Sequence, residues 1–310
     1  MRNNQLIKKL FLILPLPMLT QFVSIYLKIK KPLHTFRERG RFELDKNGVP
    51  FRNYKNINGN TIGIQRSPVS ISQKALEYIE NYKMTKNEKS KKFFFSCLDW
   101  LVENAVTSDN YSILHYNFPW PLYELEKPWF SGMAQGLGIQ ALIIGHKISN
   151  NEKYLDTAKL FLKSFFVEVK DGGITYKDSD DRWWYEEYAS KNGKKSRVLN
   201  GMVFAVLGIY DFYKYTNDKD AKILFERGIE SLKNDLVKYD FGNGYSYYDV
   251  LKRPAGKYHK IHVEQMKQLY DITDEEIFQK YYDKWKSFDY FKNLPSLIIE
   301  EIKNSEKTYS

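Results

Sequence analysis

Apolar residues recur at helical spacing in successive pairs of segments along the chain. The first pair covers residues 67–85 and 89–106, and it opens with Ser67-Pro68, a helix start signal. The later pairs are residues 128–149 with 151–169, 197–216 with 218–240, and 258–273 with 274–288. Because the links within each pair are short, the two helices of a pair are predicted to be antiparallel.

Short alternating segments lie before and between these helical pairs. Residues 42–54 contain the turn signal Asn47-Gly48 and are predicted to form a hairpin. Residues 170–188 and 239–250 combine turn residues with alternating aromatic positions, which predicts two further hairpins. The predicted fold is therefore mainly α: an α/α toroid or incomplete barrel of antiparallel helical hairpins, with short β-hairpins at the rim of a site.

The predicted domain organisation follows from the distribution of turn residues. No stretch rich in Pro, Gly or Ser divides the chain after residue 60. We therefore predict a β-hairpin lead-in over residues 32–60, one α/α domain over residues 61–294 and a C-terminal tail over residues 295–310. Gly132, Gly136 and Gly138 interrupt a helical pattern at a cost of about 1 kcal/mol each, and most of them are predicted to allow close helix packing.

Residues 1–31 form a separate hydrophobic segment. From Leu10 to Leu27 no residue is charged, and lysines flank both ends. The length is marginal for a membrane span of about 20 residues, and Pro15 and Pro17 would interrupt a helix. A membrane anchor, an interfacial helix, an ordinary packed helix and a secretion-related segment remain open at this stage. Membrane association is the working expectation, with no side of the membrane assigned.

The net charge and the aromatic content of the chain indicate which kinds of molecule it could bind. The formal net charge of +10 attracts anionic partners, and the 24 Tyr and 6 Trp residues suit contacts with sugars. Nucleic acid also carries negative charge, but no basic recognition helix or RNA-binding motif supports that partner. On charge and composition alone, an acidic polysaccharide and an anionic lipid both remain open as partners. The single Cys97 cannot form an intramolecular disulfide and is predicted to be a core residue.

The sequence lacks the motifs of several well-known classes of enzyme and metal-binding protein. The sequence contains no Walker motif, no G-x-S-x-G elbow and no zinc-type cysteine pair. His259 and His262 are spaced to share one helix face, but Glu264 lies off that face and a metal site needs a third ligand. A hydrogen bond to a sugar or a packed structural role is therefore favoured for these histidines, and no metal site is predicted.

Six separated blocks then point to a family. They cover residues 128–143, 184–188, 198–213, 224–240, 245–250 and 258–269. In sequence and order they resemble the C-terminal domain of D-glucuronyl C5-epimerase, and the resemblance extends over residues 42–288. It implies an enzyme that converts D-glucuronate to L-iduronate within a heparan-type polysaccharide. The animal enzymes carry additional β-rich domains upstream, which leaves the identity of the polymer open.

The reaction that the resemblance implies needs particular side chains. C5 epimerisation removes a proton next to a carboxylate and returns it to the opposite face, so two acid/base groups are required. Tyrosine, with a reference pKa of about 10, is better matched to a weak carbon acid than a carboxylate is. The resemblance assigns proton transfer to Tyr188, Tyr248 and Tyr258, and makes Glu187 a base or a group that holds a phenol. A solvated charge pair remains the alternative for Glu186 and Glu187.

The resemblance and the residue types also suggest contacts to the sugar. The candidates are Trp184, Arg197, Asn200, Arg253, His259, His262 and Gln265. Because neighbouring residues of a strand point to opposite faces, only one of Trp183 and Trp184 is expected to face a ligand. The family tends to place an arginine three residues after the tyrosine of the 245–250 block. Here Leu251 occupies that position, and Arg253 is the candidate replacement.

Three function classes remain after the sequence analysis. A C5-epimerase is favoured by the tyrosine and glutamate positions. A uronate polysaccharide lyase shares the first step but then expels the C4 substituent by β-elimination. A noncatalytic protein that binds acidic glycans would keep the basic and aromatic groove without the proton donors. Direct proton transfer needs no redox cofactor, so none is predicted, and a homodimer is left open.

Overall fold

The structure, a computed structural model, describes residues 42–57, 59–178 and 182–288. The α-helices in these ranges are α1 (Pro68–Thr85), α2 (Glu88–Glu103), α3 (Gly132–Ser149), α4 (Glu152–Lys163), α5 (Leu199–Thr216), α6 (Lys219–Asp235), α7 (Tyr258–Thr273) and α8 (Glu276–Lys286). Each predicted helical segment thus contains one helix. The predicted N-terminal segment 1–31 and the tail 295–310 lie outside the described residues.

Short strands form small antiparallel units. They are β1 (Phe42–Leu44), β2 (Pro50–Asn53), β3 (Asn56–Ile57), β4 (Asn60–Thr61), β5 (Ile64–Gln65), β6 (Ala105–Thr107), β7 (Ser112–Leu114), β8 (Thr175–Lys177), β9 (Trp183–Tyr185), β10 (Asp240–Gly242) and β11 (Tyr245–Ser246). The strands β1, β2 and β5 make one sheet, and β3–β4, β6–β7, β8–β9 and β10–β11 pair separately. The three predicted hairpins are present as β1–β2, β8–β9 and β10–β11. The β6–β7 hairpin was not predicted.

Local sequence signals define where the helices begin and end. Ser67 caps α1 and Ser131 caps α3, each accepting a hydrogen bond from a backbone N–H in the first turn. Asp218 does the same for α6. At the other end of α3, Asn150 adopts the left-handed conformation (φ 53°) that commonly closes a helix. These caps explain why helical pairs joined by very few residues fold back on themselves.

The helical hairpins are arranged as an incomplete α/α toroid. The odd-numbered helices α1, α3, α5 and α7 contact one another in chain order, and each packs against the helix that follows it. Helices α3 and α5 are buried on most sides, whereas α4, α6 and α8 are amphipathic. Because each pair is antiparallel, the odd-numbered helices all begin at the same end of the molecule. That end carries the connecting loops and, as described below, a cleft.

Helices α3 and α5 approach so closely that only glycine fits between them. A Cβ atom added to Gly136 would lie 2.6 Å from the Ala205 Cα atom, and one added to Gly208 would lie 2.2 Å from the Gly136 carbonyl oxygen. Gly132 is also packed, against the backbone of Tyr185 and Glu186. The prediction that these glycines allow close packing is confirmed for Gly132 and Gly136.

Several helix boundaries differ from the predicted ones. The second segment was expected to be helical to residue 106, but α2 ends at Glu103 and β6 follows. The third was expected to start at residue 128, but Trp129 and Phe130 make strand-like bridges to Tyr116 and Ala189 before Ser131 caps α3. Periodicity alone could not locate these ends, because pairing with distant segments competes with helix formation there.

The lead-in hairpin packs onto the first helical pair. The Tyr78 hydroxyl donates to the Gly48 carbonyl at 2.9 Å, and Gly48 itself lies against the Phe93 ring. Arg66 pairs with Asp45 at 2.7 Å. Within the described ranges, none of the helices combines the length and the apolar character needed to cross a bilayer.

Candidate functional site

A cleft of about 380 Å³ opens where the odd-numbered helices begin. It is lined by residues of the lead-in, of the loop between β7 and α3, of the loop after β9, and of the first turns of α1, α3, α5 and α7. Four helix N-termini therefore border the same space. Because the N-terminal end of a helix carries a partial positive charge, this arrangement favours an anionic ligand.

The predicted catalytic side chains converge at this cleft although they come from three separate parts of the chain. Glu187, Tyr188 and Tyr258 line it. The Tyr248 ring lies against the Tyr258 ring, with 4.8 Å between the ring centroids, and Tyr248 is hydrogen-bonded to Tyr188. The structure thus brings together all four residues assigned by the resemblance.

Aromatic side chains fix the orientation of Tyr188. Its ring lies parallel to that of Trp120, with an interplanar angle of 4° and 6.4 Å between centroids. The rings of Tyr123 and Trp129 approach it at 4.6 and 5.6 Å. Trp129 is in turn stacked on Tyr116 at 3.8 Å. The Tyr188 hydroxyl is therefore presented to the cleft by a packed aromatic wall.

Glu186 holds the backbone that carries Glu187 and Tyr188. Its carboxylate is fully buried and accepts hydrogen bonds from the Tyr188 N–H, the Ser196 hydroxyl and the Arg197 N–H. Burial raises the pKa of Glu186, while these hydrogen bonds act in the opposite direction. A solvated charge pair at Glu186 and Glu187 is excluded, because both side chains are buried.

Glu187 lies over the first turn of α5, in space left by a glycine. A Cβ atom added to Gly201 would lie 2.3 Å from the Glu187 Oε2 atom. The N-cap residue of α5, Val198, provides no side-chain cap. A carboxylate at this end of the helix is stabilised by the helix dipole. Gly201 therefore allows Glu187 to take a position in which its negative charge is favoured.

Tyr248 is a neutral phenol in this environment. Burial is the largest cause that raises its pKa well above the usual value of 10, and the negative charge of Glu187 adds to it. The hydrogen bond with Tyr188 raises the pKa of Tyr248 further, which favours its protonated form.

Arg253 lies beside Tyr248, although it is five residues further along the chain. Its guanidinium carbon lies 5.0 Å from the Tyr248 ring centroid and 4.5 Å from that of Tyr123. Asp249, which is fully buried, holds it through a 2.6 Å contact to Nε. Leu251, in contrast, is 47% exposed. The backbone turns back between residues 248 and 253, so a cation two positions further along the chain reaches the tyrosine.

Other predicted sugar-binding residues lie on or behind the cleft floor. Asn200 lines the cleft, and its backbone carbonyl accepts a hydrogen bond from the Gln265 side chain at 3.1 Å. His259 and His262 are buried below this layer, where both contact Ser246. Of these four residues, only Asn200 borders the cleft.

Trp184 and Arg197 lie away from the cleft. Trp184 is 1% exposed and stacks on Tyr239, with 5.8 Å between ring centroids. Arg197 pairs with Asp178 at 2.6 Å and with Asp235 at 3.1 Å. The structure therefore shows packing and ion-pair contacts for these two residues and does not bring them to the other site residues.

Several residues that line the cleft were not predicted from the sequence. Among them are the cations Arg52 and Lys257 and the aromatic residues Tyr116, Phe118, Trp120 and Trp129. The aromatic residues at 116, 118 and 120 alternate with other residues, a signal that was present in the sequence but was not used. Within the described ranges, no group of three or more His, Cys, Asp and Glu side chains is arranged to hold a metal ion.

Comparison with known folds supports the architecture. A cellobiose 2-epimerase from Bacillus thermoamylovorans superposes with a TM-score of 0.54 at 12% identity, covering 78% of this chain and 64% of that one. A GH76 alpha-mannanase from Bacteroides thetaiotaomicron gives a TM-score of 0.52 at 12% identity, covering 79% and 63%. At this level of identity the likeness establishes the α/α toroid fold alone.

Sequence relatives define the family. An uncharacterized protein of Methanocaldococcus jannaschii is 33% identical over 270 residues, which cover 81% of this chain and 86% of that protein. The D-glucuronyl C5-epimerase of Caenorhabditis elegans is 32% identical over 228 residues, which cover 67% of this chain but only 36% of the enzyme. The family model described as the D-glucuronyl C5-epimerase C-terminus matches residues 108–287. This chain therefore belongs to the D-glucuronyl C5-epimerase family, through the C-terminal domain of that family.

Proposed function

We propose that this protein is a carbohydrate epimerase that converts D-glucuronate to L-iduronate residues in an acidic polysaccharide. The observation that carries the proposal is the convergence of Glu187, Tyr188, Tyr248 and Tyr258 on one cleft. Family membership supports the same class of reaction. The convergence is informative because these residues come from three separate parts of the chain and packing alone does not require phenols to meet there.

In the proposed reaction, one phenol in its deprotonated form takes up the C5 proton and becomes neutral, and the electron pair of the C–H bond moves onto the neighbouring carboxylate. A second group then donates a proton to the opposite face of C5, and the electron pair returns to form the new C–H bond. Tyr188 and Tyr258 are the proposed transfer groups because both line the cleft. Tyr248 is proposed to donate its hydrogen bond to Tyr188, which stabilises negative charge on that oxygen.

The charge developed on the uronate carboxylate needs stabilisation. Lys257 lies at the start of α7 and lines the cleft, with its ammonium group 5.3 Å from the Tyr258 ring centroid. Arg52 lines the cleft from the lead-in. Together with the surrounding helix N-termini, these cations favour an anionic sugar and its enediolate. We assign Lys257 to the reacting carboxylate and Arg52 to an adjacent part of the polymer.

The decisive experiment incubates the full chain with defined glucuronate polymers in heavy water. Deuterium at C5, together with iduronate signals and unchanged polymer length, is the expected result. An unsaturated, ultraviolet-absorbing product with shortened chains would instead indicate β-elimination. Failure to exchange C5 in any polymer of the panel, with binding retained, would overturn the epimerase proposal in favour of a glycan-binding protein.

A further inference from the structure

Ser246 contacts two buried histidines at once. Its Oγ atom lies 2.9 Å from the His259 Nδ1 atom and 2.8 Å from the His262 Nδ1 atom. All three residues are almost fully buried, between 0% and 3% exposed. His259 also reaches the Trp285 carbonyl oxygen of α8 through its Nε2 atom, at 3.1 Å. None of these atoms is assigned a role in the proposed proton transfer.

The contacts fix the direction of each hydrogen bond. Burial lowers the pKa of His259 to about 4 and that of His262 to about 3, so both rings are neutral near pH 7. The Trp285 carbonyl can only accept, so His259 carries its proton on Nε2 and accepts at Nδ1. The single Ser246 proton therefore goes to His259, and the Nδ1–H of His262 donates to the Ser246 oxygen.

The linked residues are direct neighbours of two of the phenols. Ser246 belongs to β11, two residues before Tyr248, and His259 immediately follows Tyr258 at the start of α7. The Tyr248 and Tyr258 rings are 4.8 Å apart. Lys257, the N-cap residue of α7, provides no side-chain cap for this helix. The side-chain contacts thus join the end of the β10–β11 hairpin, which precedes Tyr248, to the start of α7, which carries Tyr258.

We propose that Ser246, His259 and His262 form a positioning link that sets the separation of Tyr248 and Tyr258. The link complements the backbone hydrogen bond from the Ala255 N–H to the Ser246 carbonyl, at 3.0 Å. Since Tyr248 also bonds Tyr188, a shift of the hairpin relative to α7 disturbs both phenols at the cleft surface. The kinetic consequence rests on the proposed function, whereas the geometric consequence does not.

The kinetic test compares two buried serines. Ser246→Ala removes both contacts to the histidines, whereas Ser164→Ala is a matched control that removes a buried hydroxyl bonded to Gln135 and to the Phe161 carbonyl. We expect a comparable drop in Tm for both variants. Only Ser246→Ala is expected to lower kcat for C5 exchange, by about tenfold to a hundredfold, because small displacements of acid/base groups are costly. Its KM is expected to stay within about twofold of wild type.

A second measurement keeps the positioning link separate from the proposed activity. NMR spectra of isotope-labelled histidine in the wild-type protein are expected to show the Nε2–H tautomer for His259 and the Nδ1–H tautomer for His262. Spectra of labelled tyrosine are expected to show altered Tyr248 and Tyr258 signals in Ser246→Ala and unaltered ones in Ser164→Ala. These spectra report the geometry whether or not the protein exchanges C5.

The outcomes separate the two ideas. Exchange by the wild type with equal kcat for Ser246→Ala and Ser164→Ala would overturn the positioning role and leave the epimerase proposal standing. No exchange by the wild type, with the expected tautomers and tyrosine shifts, would overturn the epimerase proposal and leave the geometric link standing. Other tautomers in the wild type would overturn the link even if Ser246→Ala failed to fold.

Discussion

Each phenol at the cleft depends on a different kind of neighbour. Tyr188 is held by aromatic rings, Tyr248 is buried and hydrogen-bonded, and Tyr258 occupies the first position of a helix. The three side chains are also in contact, because Tyr248 is hydrogen-bonded to Tyr188 and packs against Tyr258. A substitution by Phe removes one hydroxyl but keeps the ring and its packing. Single substitutions at these positions are therefore informative about individual roles.

The phenol hydroxyls at the cleft surface are expected to be essential for exchange. Tyr188→Phe and Tyr258→Phe should each reduce the rate of C5 deuterium exchange by about a hundredfold or more, because each removes a proposed proton-transfer group. Tyr213→Phe is the control, since Tyr213 lies near the other end of α5. Circular dichroism and Tm should be close to wild type in all three variants. Normal exchange in both cleft variants would refute the assignment.

Gly201 is expected to matter through Glu187. In Gly201→Ala the new methyl group would overlap the Glu187 carboxylate, so the carboxylate must move away from α5. Gly208→Ala on the same helix overlaps the α3 backbone instead and serves as a control for lost packing. At temperatures where both variants are folded, kcat should fall only for Gly201→Ala. Equal kcat values for the two variants would show that the position of Glu187 is unimportant.

Contact between α3 and α5 depends on backbone atoms that cannot rearrange cheaply. Gly136→Ala is expected to lower the free energy of unfolding by roughly 1–3 kcal/mol, because the added methyl group meets the α5 backbone. At Gly138, two residues along the same helix, a methyl group would meet the Phe161 side chain at 3.1 Å, which can adjust. Urea unfolding should therefore show a smaller loss for Gly138→Ala. The reverse order would contradict the proposed helix contact.

The junction between β11 and α7 is expected to lose stability in acid. The pKa of His262 in the folded protein, about 3, lies below the unfolded value near 6.5, so its contribution to stability is present above pH 6.5 and is lost as the pH falls. Between pH 7 and pH 5 the loss from this one residue is about 2 kcal/mol. Urea unfolding at both pH values should show the stability advantage of wild type over His262→Gln shrinking by that amount.

His146→Gln provides the comparison for this pH measurement. His146 contacts Tyr215 and Glu152 at the periphery of α3, away from β11. If the difference in unfolding free energy between wild type and His262→Gln were the same at both pH values, protonation of His262 on unfolding would not contribute to the loss of stability in acid.

Secondary-structure elements were largely predictable where they are amphipathic or capped. The cap at Ser67 and the turn at Asn47-Gly48 are local signals, and the structure has a helix and a hairpin there. The segment between β7 and α3 was less readable, because its form depends on pairing with distant residues such as Ala189. Apart from the alternating aromatic residues at 116, 118 and 120, the segment carries no local pattern that shows its distant partners, so neither its course nor its place in the cleft wall was predicted.

For the whole molecule, charge and helix direction favour the same kind of ligand. The chain has a formal net charge of +10, and Arg52 and Lys257 line a cleft bordered by four helix N-termini. Electrostatic attraction of this kind weakens as salt screens it. The polymer is therefore expected to bind less tightly at high ionic strength.

Salt dependence provides the corresponding test. The double variant Arg52→Gln, Lys257→Gln should raise KM for a glucuronate polymer and reduce the increase of KM with added NaCl. Lys219→Gln is the control, because Lys219 is exposed at the start of α6 and does not line the cleft. If Lys219→Gln changed KM and its salt dependence as much as the double variant does, the effect would come from the net charge of the protein and not from the cleft.

Site residues could be predicted only in part. The resemblance identified four residues that the fold brings together, since their motifs are contiguous in sequence. It could not identify Arg52 and Lys257, because a surface cation carries no local signal of what it faces after folding. Trp184 and Arg197 lie within or beside a motif but were wrongly expected at the cleft. The Trp184 side chain packs in the protein interior, and Arg197 pairs with carboxylates that are distant in sequence.

The helices that pack at glycines and the loop that forms the cleft wall are separate parts of the structure, and this separation has an evolutionary consequence. The α3–α5 contact is formed along the bodies of the helices, whereas the aromatic wall belongs largely to the stretch from Tyr116 to Trp129. Substitutions in that stretch leave the glycine contact between α3 and α5 unchanged but alter the rings that pack around Tyr188. Relatives that differ mainly between these two residues are therefore expected to keep the fold and the phenols while accepting sugars of another shape.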